Sequence, residues 1–165
     1  TKAIAATADK YHTNLSVIKS VIKSNENRSL LLLKRVEDIL KNKIKNKKIC
    51  FLGVTFKANT DDMRDSSSLS MIPTLIKKGA IVNYFDPTGK KIEFAKLKNV
   101  KFSKNINSAI KDSDLIIIHT EWNDFKSINF KKEVKNKKFK IFDMRNIYSS
   151  TKMKELKIKY FGIGC

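Results

Sequence analysis

Between residues 14 and 44 apolar side chains recur at helical spacing: Leu15, Ile18, Val21 with Ile22, Leu32 with Leu33, Val36, Ile39 with Leu40, and Ile44. Positions three and four apart share one helix face, so this stripe predicts an amphipathic helix. The stretch Asn25-Glu26-Asn27-Arg28-Ser29 breaks the stripe without Pro or Gly, so one long helix with a polar middle turn is expected. A helix of roughly 30 residues exceeds the usual globular range. It carries more stripe than one small domain covers, so Ile18, Val21, Leu32, Val36 and Ile39 are expected to face another domain or a second chain. The start, Thr1 to Ala6, is also helix-like.

Beyond the basic segment 41–48 the period changes. Residues 47–54 read as a short apolar strand of the kind buried on both faces of a parallel sheet. Ser66, Ser67 and Ser68 precede a predicted helix over 69–78 as its cap, with Gly79 to close it and Pro73 to kink or shorten its first turns. A strand over 80–85 ends in the turn signature Asp86-Pro87-Thr88-Gly89. A short helix (90–97), a minimal strand (100–102) and a helix capped by Asn105 (105–111) follow. Further strands are predicted at 114–119, 139–143 and 158–161. Strands alternating with helices through short connections predict an α/β fold, a Rossmann-like parallel sheet with flanking helices behind the long helix. Residues 1–46 form the helical segment and 47–165 the sheet domain.

Composition narrows the function classes. The longest apolar runs, 30–33 and 115–118, are four residues each, against about 20 for a membrane span, so no membrane partner is expected. No secretory signal precedes the first helix, and the chain opens on Thr1 rather than Met, which suggests a start inside a longer polypeptide. Cys50 and Cys165 give neither a disulfide framework nor metal-ligand spacing, so no metal and a cytoplasmic, reducing setting are expected. The net charge of +19 comes from 35 Lys+Arg against 16 Asp+Glu, and only four of the cations are Arg. Lysine is accompanied by abundant Asn and Ile, which share A/T-rich codons. The excess therefore reads first as a lysine-decorated surface, and a nucleic-acid-binding module is the alternative of a different class.

In an open α/β sheet ligands bind beyond the carboxyl ends of the strands. The first strand runs into Gly53-Val54-Thr55-Phe56-Lys57 and on to Arg64 and Ser67 with no second or third glycine. The pyrophosphate cradle of a dinucleotide site is therefore missing from this loop. What the loop offers is two cations, Lys57 and Arg64, able to neutralise phosphates, and Phe56, able to stack on a base or sugar. A solvated loop is the competing reading.

The same loop carries a resemblance. "KKICFLGVTFKANTDDMRDSSSL" and "IPTLIKKGAIVNYFDP", then "HTEWNDF" (119–125) and "IFDMRN" (141–146), with "SNENR" (24–28) in the long helix, resemble in order the C-terminal part of the UDP-glucose/GDP-mannose dehydrogenase family. The resemblance implies oxidation of a UDP-sugar hydroxyl to a carboxylate in NAD-dependent steps through a cysteine-bound intermediate. It implies that Phe56, Lys57 and Arg145 bind substrate, with UDP-glucose the expected sugar nucleotide and UDP-N-acetyl-sugars or GDP-mannose the alternatives. It also implies that Arg64 reaches an NAD held mainly by an N-terminal domain, and that residues 14–44 form a homodimer. The family's catalytic cysteine motif would lie before Thr1, and neither Cys50 nor Cys165 can replace it. No catalytic residue is thus assigned, and the chain alone is expected to be inactive.

Other residues leave two readings each. His119 could pair with Glu121 as acid and base or be a structural strand-end histidine. Trp122 and Phe125 could stack a ligand or pack a helix on the sheet. Asp61, Asp62 and Asp65 could suggest a metal or pair with Arg64 to order the loop. Asp86 could hold a ribose or cap its turn, and Asp143 could orient Arg145. His12 is taken as surface, and Lys131, Lys132 and residues 135–140 as a solvated charge run.

Overall fold

The computed structural model describes residues 2–164; Thr1 and Cys165 lie outside the described residues. Helices α1 (Lys2–Lys10) and α2 (Ser16–Ile39) lead into strand β1 (Lys48–Leu52) and helix α3 (Ser68–Lys77). Then follow β2 (Ile81–Phe85), a 3-10 turn at Ile92–Phe94, β3 (Val100–Phe102), α4 (Ile106–Ile110) and β4 (Leu115–Ile118). A second 3-10 turn (Asn123–Ser127), α5 (Phe130–Glu133), β5 (Lys140–Asp143), α6 (Ser150–Glu155) and β6 (Lys159–Phe161) complete the chain. The six strands form one parallel sheet in the order β3-β2-β1-β4-β5-β6. The expected Rossmann-like α/β architecture is thus observed.

Alternate residues of the central strands feed two cores. Ile49 and Phe51 of β1 face Leu32, Leu33, Val36 and Ile39 of α2 and Met71, Ile72 and Leu75 of α3. Cys50 and Leu52 face Ile110, Trp122, Phe125, Phe130 and Met153 on the other side. Trp122 and Phe125 therefore pack on the sheet. The burial of β4 is complete along Leu115–Ile118, as expected for a strand covered on both faces.

The long helix differs from its prediction in two ways. It ends at Ile39 and caps at Leu40, because Lys41 and Asn42 take positive φ (53° and 58°) and turn the chain. Ile44 extends the period in sequence only, since it reaches the core from this turn. Leu32, Val36 and Ile39 are buried in the chain's own core, so they are not available to a partner. The exposed apolar residues are instead Val17, Val21, Leu30 and Leu31 on α2, with Ile4 and Tyr11 before it.

Lys140 departs from the solvated run expected at 135–140. Half-buried at the start of β5, its Nζ donates to the Ile39 carbonyl. It thereby satisfies one of the orphan carbonyls that every helix end leaves, in a last turn that has no basic residue of its own. Burial holds the Lys140 ammonium below its usual range, with Lys159, Lys41 and Lys47 adding repulsion.

Helices α5 and α6 were not predicted. Both are short, lysine-bearing and tied down by side-chain caps, Asn129 on Lys132 N and Ser149 on Lys152 N. The described helices include none long and apolar enough to cross a membrane.

Candidate functional site

The strand order reverses between β1 and β4, where the connections leave toward opposite edges of the sheet. Such a switch point opens a crevice at the carboxyl ends of the strands. The two exits meet closely here: His119 N and Thr120 N reach the Leu52 carbonyl at 3.0 and 3.3 Å. Gly53 makes this approach possible, with φ of +75° and no side chain to strike Thr120.

The loop from Val54 to Ser67 is held at both ends by one residue. Val54 N donates to Asp86 Oδ2 at 2.8 Å, while its carbonyl accepts Ser66 Oγ at 2.7 Å and Ser68 Oγ at 2.6 Å. The expected serine cap of α3 is thus corrected: Ser67 occupies the N-cap position without a side-chain cap bond. The first N–H groups of α3 turn inward, Leu69 N to the Ser66 carbonyl and Ser70 N and Met71 N to that of Ser67. These N–H groups are thus occupied, and an anion in the crevice would have to be met by side chains rather than by the helix N-terminus.

Asp86 is buried, and its Oδ1 accepts Thr88 N at 3.0 Å and Thr88 Oγ1 at 2.5 Å. Buried Lys91 donates to Thr88 Oγ1 and lies 3.9 Å from Asp86. This carboxylate closes its own turn and anchors Val54, so both of its oxygens are engaged where a ribose would need them. With no glycine cradle and no free acidic residue at the end of β2, these residues do not fit a dinucleotide in the Rossmann manner.

His119 is structural in character. It is buried, its Nε2 lies 2.9 Å from Ser67 Oγ and its Nδ1 3.1 Å from Thr120 Oγ1. Burial, with the Arg145 charge, pulls its pKa down to about 3, so it is a neutral imidazole at ordinary pH. Glu121 pairs with Arg145 instead, Oε2 to Nε at 3.0 Å. The Nε proton itself points at the His119 carbonyl (2.8 Å), and Arg145 Nη2 donates to the Phe56 carbonyl (3.1 Å). Asp143, fully buried at the end of β5, accepts Arg145 N at 3.0 Å, Tyr148 N at 3.1 Å and Tyr160 OH at 3.0 Å. Arg145 thereby links the ends of β4 and β5 to the loop that carries Lys57.

These elements enclose a cleft of about 1130 Å³ lined by Phe56, Lys57, Asp65, Ser67, His119 and Arg145, with Asn25, Arg28 and Ser29 of α2 forming another wall. The polar break in the α2 stripe thus faces the cleft, which accounts for polar residues inside an otherwise apolar face. Phe56 is 48% exposed. Phe56, Lys57 and Arg145 are brought together here; Arg64 is not among the cleft's lining residues. It forms a forked pair with Asp62, Nη2 to Oδ2 at 2.8 Å and Nε to Oδ1 at 3.0 Å, and its side chain is 89% exposed. Those bonds lower the Asp62 pKa to about 2. Sequence reasoning missed Arg28 and Ser67; the break in the helical stripe was the available signal for the first.

Cys50 is fully buried in β1, and burial pushes its thiol well above the usual range. It is neither accessible nor ionised enough to act as a nucleophile.

Known proteins resemble this chain in sequence and in fold. A family profile described as "UDP-glucose/GDP-mannose dehydrogenase family, UDP binding domain" matches residues 50–150. A UDP-glucose 6-dehydrogenase of Rickettsia felis is 35% identical over 161 residues, covering 94% of this chain and 36% of its own length. One from Rhizobium meliloti is 30% identical over 165 residues, covering 99% and 38%. The chain thus spans little more than a third of these relatives. Among solved structures, a UDP-glucose dehydrogenase from Pyrobaculum islandicum superposes with a TM-score of 0.76 at 23% identity, over 97% of this chain and 35% of that one. A GDP-mannose dehydrogenase from Pseudomonas aeruginosa gives 0.71 at 20%, over 98% and 37%. At such identities these two matches establish the fold.

Proposed function

The chain belongs to the UDP-glucose/GDP-mannose dehydrogenase family, and from that premise we propose that it is the UDP-sugar-binding portion of a cytoplasmic UDP-glucose 6-dehydrogenase. The observation that carries this reading is the convergence of Lys57, Arg145 and Phe56 on one cleft at the switch point. Two cations and an aromatic ring suit a diphosphate bearing a sugar and a base. Arg145 retains Nη1 without a hydrogen-bond partner among the described residues, so it has donors left for a ligand while its other bonds fix its position.

In this role the chain contributes recognition rather than bond-making. Lys57 and Arg145 hold the diphosphate or sugar, and Phe56 lies beside it. Closure against the remainder of the enzyme excludes water from the reacting group. The nucleophilic cysteine and NAD belong to the part of the enzyme outside these residues, with Arg64 as this chain's contact to the cofactor. The chain alone then makes no NADH from UDP-glucose. Residues 14–44 supply a homodimer contact.

The test is thermal stabilisation of the chain by UDP-glucose at about physiological salt, with pyrophosphate and a DNA duplex as controls. A ligand that binds only the folded state stabilises by about 2.7 kcal/mol at about 100 times its Kd. Stabilisation by UDP-glucose that pyrophosphate does not reproduce, and that Lys57→Ala abolishes, is the expected result. An equal response to every polyanion, fading with salt, would leave the lysines as bulk charge and overturn the reading.

A further inference from the structure

A polar chain that the proposed roles above leave unused runs from the buried Thr55 and Thr120 to the cleft wall at His119 and Ser67. Thr120 Oγ1 donates to the Thr55 carbonyl at 3.1 Å, and the same Oγ1 meets His119 Nδ1 at 3.1 Å. His119 Nε2 in turn meets Ser67 Oγ at 2.9 Å. The proton directions follow by elimination. A carbonyl oxygen only accepts and a hydroxyl carries one proton, so the Thr120 hydroxyl directs its proton at the Thr55 carbonyl. Thr120 Oγ1 must therefore accept from His119, which places the ring proton on Nδ1. A neutral imidazole carries one N–H, and burial with the nearby Arg145 charge keeps this one neutral, its pKa near 3. Nε2 is then a bare acceptor, and Ser67 Oγ must donate to it.

Ser67 is half-buried and lines the cleft. Its Oγ has no second partner among the described residues. A serine hydroxyl ordinarily rotates to donate or accept as its neighbour requires, but this one has its proton committed. We infer that Ser67 is a specificity residue whose Oγ presents only lone pairs to the cleft, accepting a hydrogen bond from a neutral hydroxyl of the nucleotide sugar and turning away phosphate or carboxylate oxygens. His119 and Thr120 are the positioning residues that fix this polarity from the Thr55 carbonyl. The inference rests on the reading of the cleft as a nucleotide-sugar site and divides the labour within it. Lys57, Arg145 and Arg28 carry the N–H donors that anionic oxygens need, and Ser67 supplies an acceptor to a sugar or ribose hydroxyl. A site built to pair a hydroxyl discriminates against an analogue lacking it, because its own polar atom is then left unpaired.

The experiment is calorimetric titration of the full 165-residue chain with UDP-glucose and with analogues in which single glucose or ribose hydroxyls are replaced by hydrogen. The wild-type chain is expected to lose about tenfold in affinity for one analogue. Ser67→Ala should lose the same factor for UDP-glucose while binding that analogue as the wild type does. Nitrogen-15 NMR of His119 should report a neutral ring protonated on Nδ1 at pH 7. Failure of the wild-type chain to bind UDP-glucose overturns the functional reading and this inference together. Binding that Ser67→Ala leaves unchanged, or weakens equally for every analogue, overturns the inference alone. A ring protonated on Nε2, or a wild-type series in which no single hydroxyl matters, does the same and needs no folded variant.

Discussion

A Cβ placed on Gly53 would lie 2.5 Å from the Cβ of Thr120 and 2.6 Å from its Oγ1, closer than carbon atoms approach. The exits of β1 and β4 therefore meet through a missing side chain. Gly53→Ala adds the clash to a φ of +75° that L side chains disfavour. The expected cost is about 2–4 kcal/mol, read as a lower midpoint in urea denaturation; a loss under about 0.5 kcal/mol would contradict the packing described.

Asp86 stitches the end of β2 to the loop after β1. Asp86→Ala strands Val54 N, frees Thr88 and leaves buried Lys91 without the carboxylate 3.9 Å away. Removing one partner of a buried charge pair costs about 3–5 kcal/mol. The loss should appear in chemical denaturation and be accompanied by weaker UDP-glucose binding, since Lys57 sits on the loop that Asp86 anchors.

His119 should impose an acid limit on stability. Its folded pKa, about 3, lies below the unfolded value of 6.5, so between these two the unfolded chain binds more protons. Stability therefore rises with pH through that window and is lost as pH falls from about 6.5 toward 3, by an amount on the order of a few kcal/mol. Asp62, with its pKa lowered to about 2, acts in the same direction at lower pH, below its ordinary 3.8. Melting temperatures measured from pH 7 to 4 should fall steeply in the wild type and less so in His119→Gln. Parallel slopes for the two would refute the assignment.

The exposed and buried leucines of α2 should separate the proposed assembly from folding. Leu30 and Leu31 are 64% and 67% exposed, whereas Leu32 and Leu33 are buried. Leu31→Lys should shift a dimer toward monomer in sedimentation while leaving the melting temperature within a few degrees. Leu32→Ala should cost about 2–5 kcal/mol of stability through the cavity it leaves. A wild-type chain that sediments as a monomer at tens of micromolar would remove the dimer contact from the proposal.

The strands were the most legible elements. Apolar runs such as Leu115 to Ile118 are too short for buried helices and too continuous for a half-exposed sheet, so pattern alone places them in a parallel sheet. The end of α2 was less so: Leu40 and Ile44 keep the helical period, yet the chain turns at Lys41 and Asn42, because periodicity records burial and not the path that achieves it. Helices α5 and α6 offer almost no period, each having one buried residue, Phe130 and Met153.

The site was partly legible. Phe56 and Lys57, adjacent in sequence, and the distant Arg145 line one cleft, whereas Arg64 pairs with Asp62 and does not. Ser66, Ser67 and Ser68 look like a cap in sequence, but the carbonyl of Val54 competes for two of their hydroxyls and the His119 ring for the third. Such competition depends on atoms 12 to 52 residues away, which local pattern does not contain.

By itself the sequence determined the α/β alternation, the parallel sheet, the absent glycine cradle and the cationic loop, because each is written in residue type and short-range spacing. Only the tertiary structure decided that the polar break of α2 faces the cleft, that Asp86 is already occupied, and that Ser67 Oγ meets the His119 ring. These are outcomes of long-range packing, in which buried hydrogen-bond donors and acceptors brought together from the ends of β1, β2 and β4 and the start of α3 find their partners in one another.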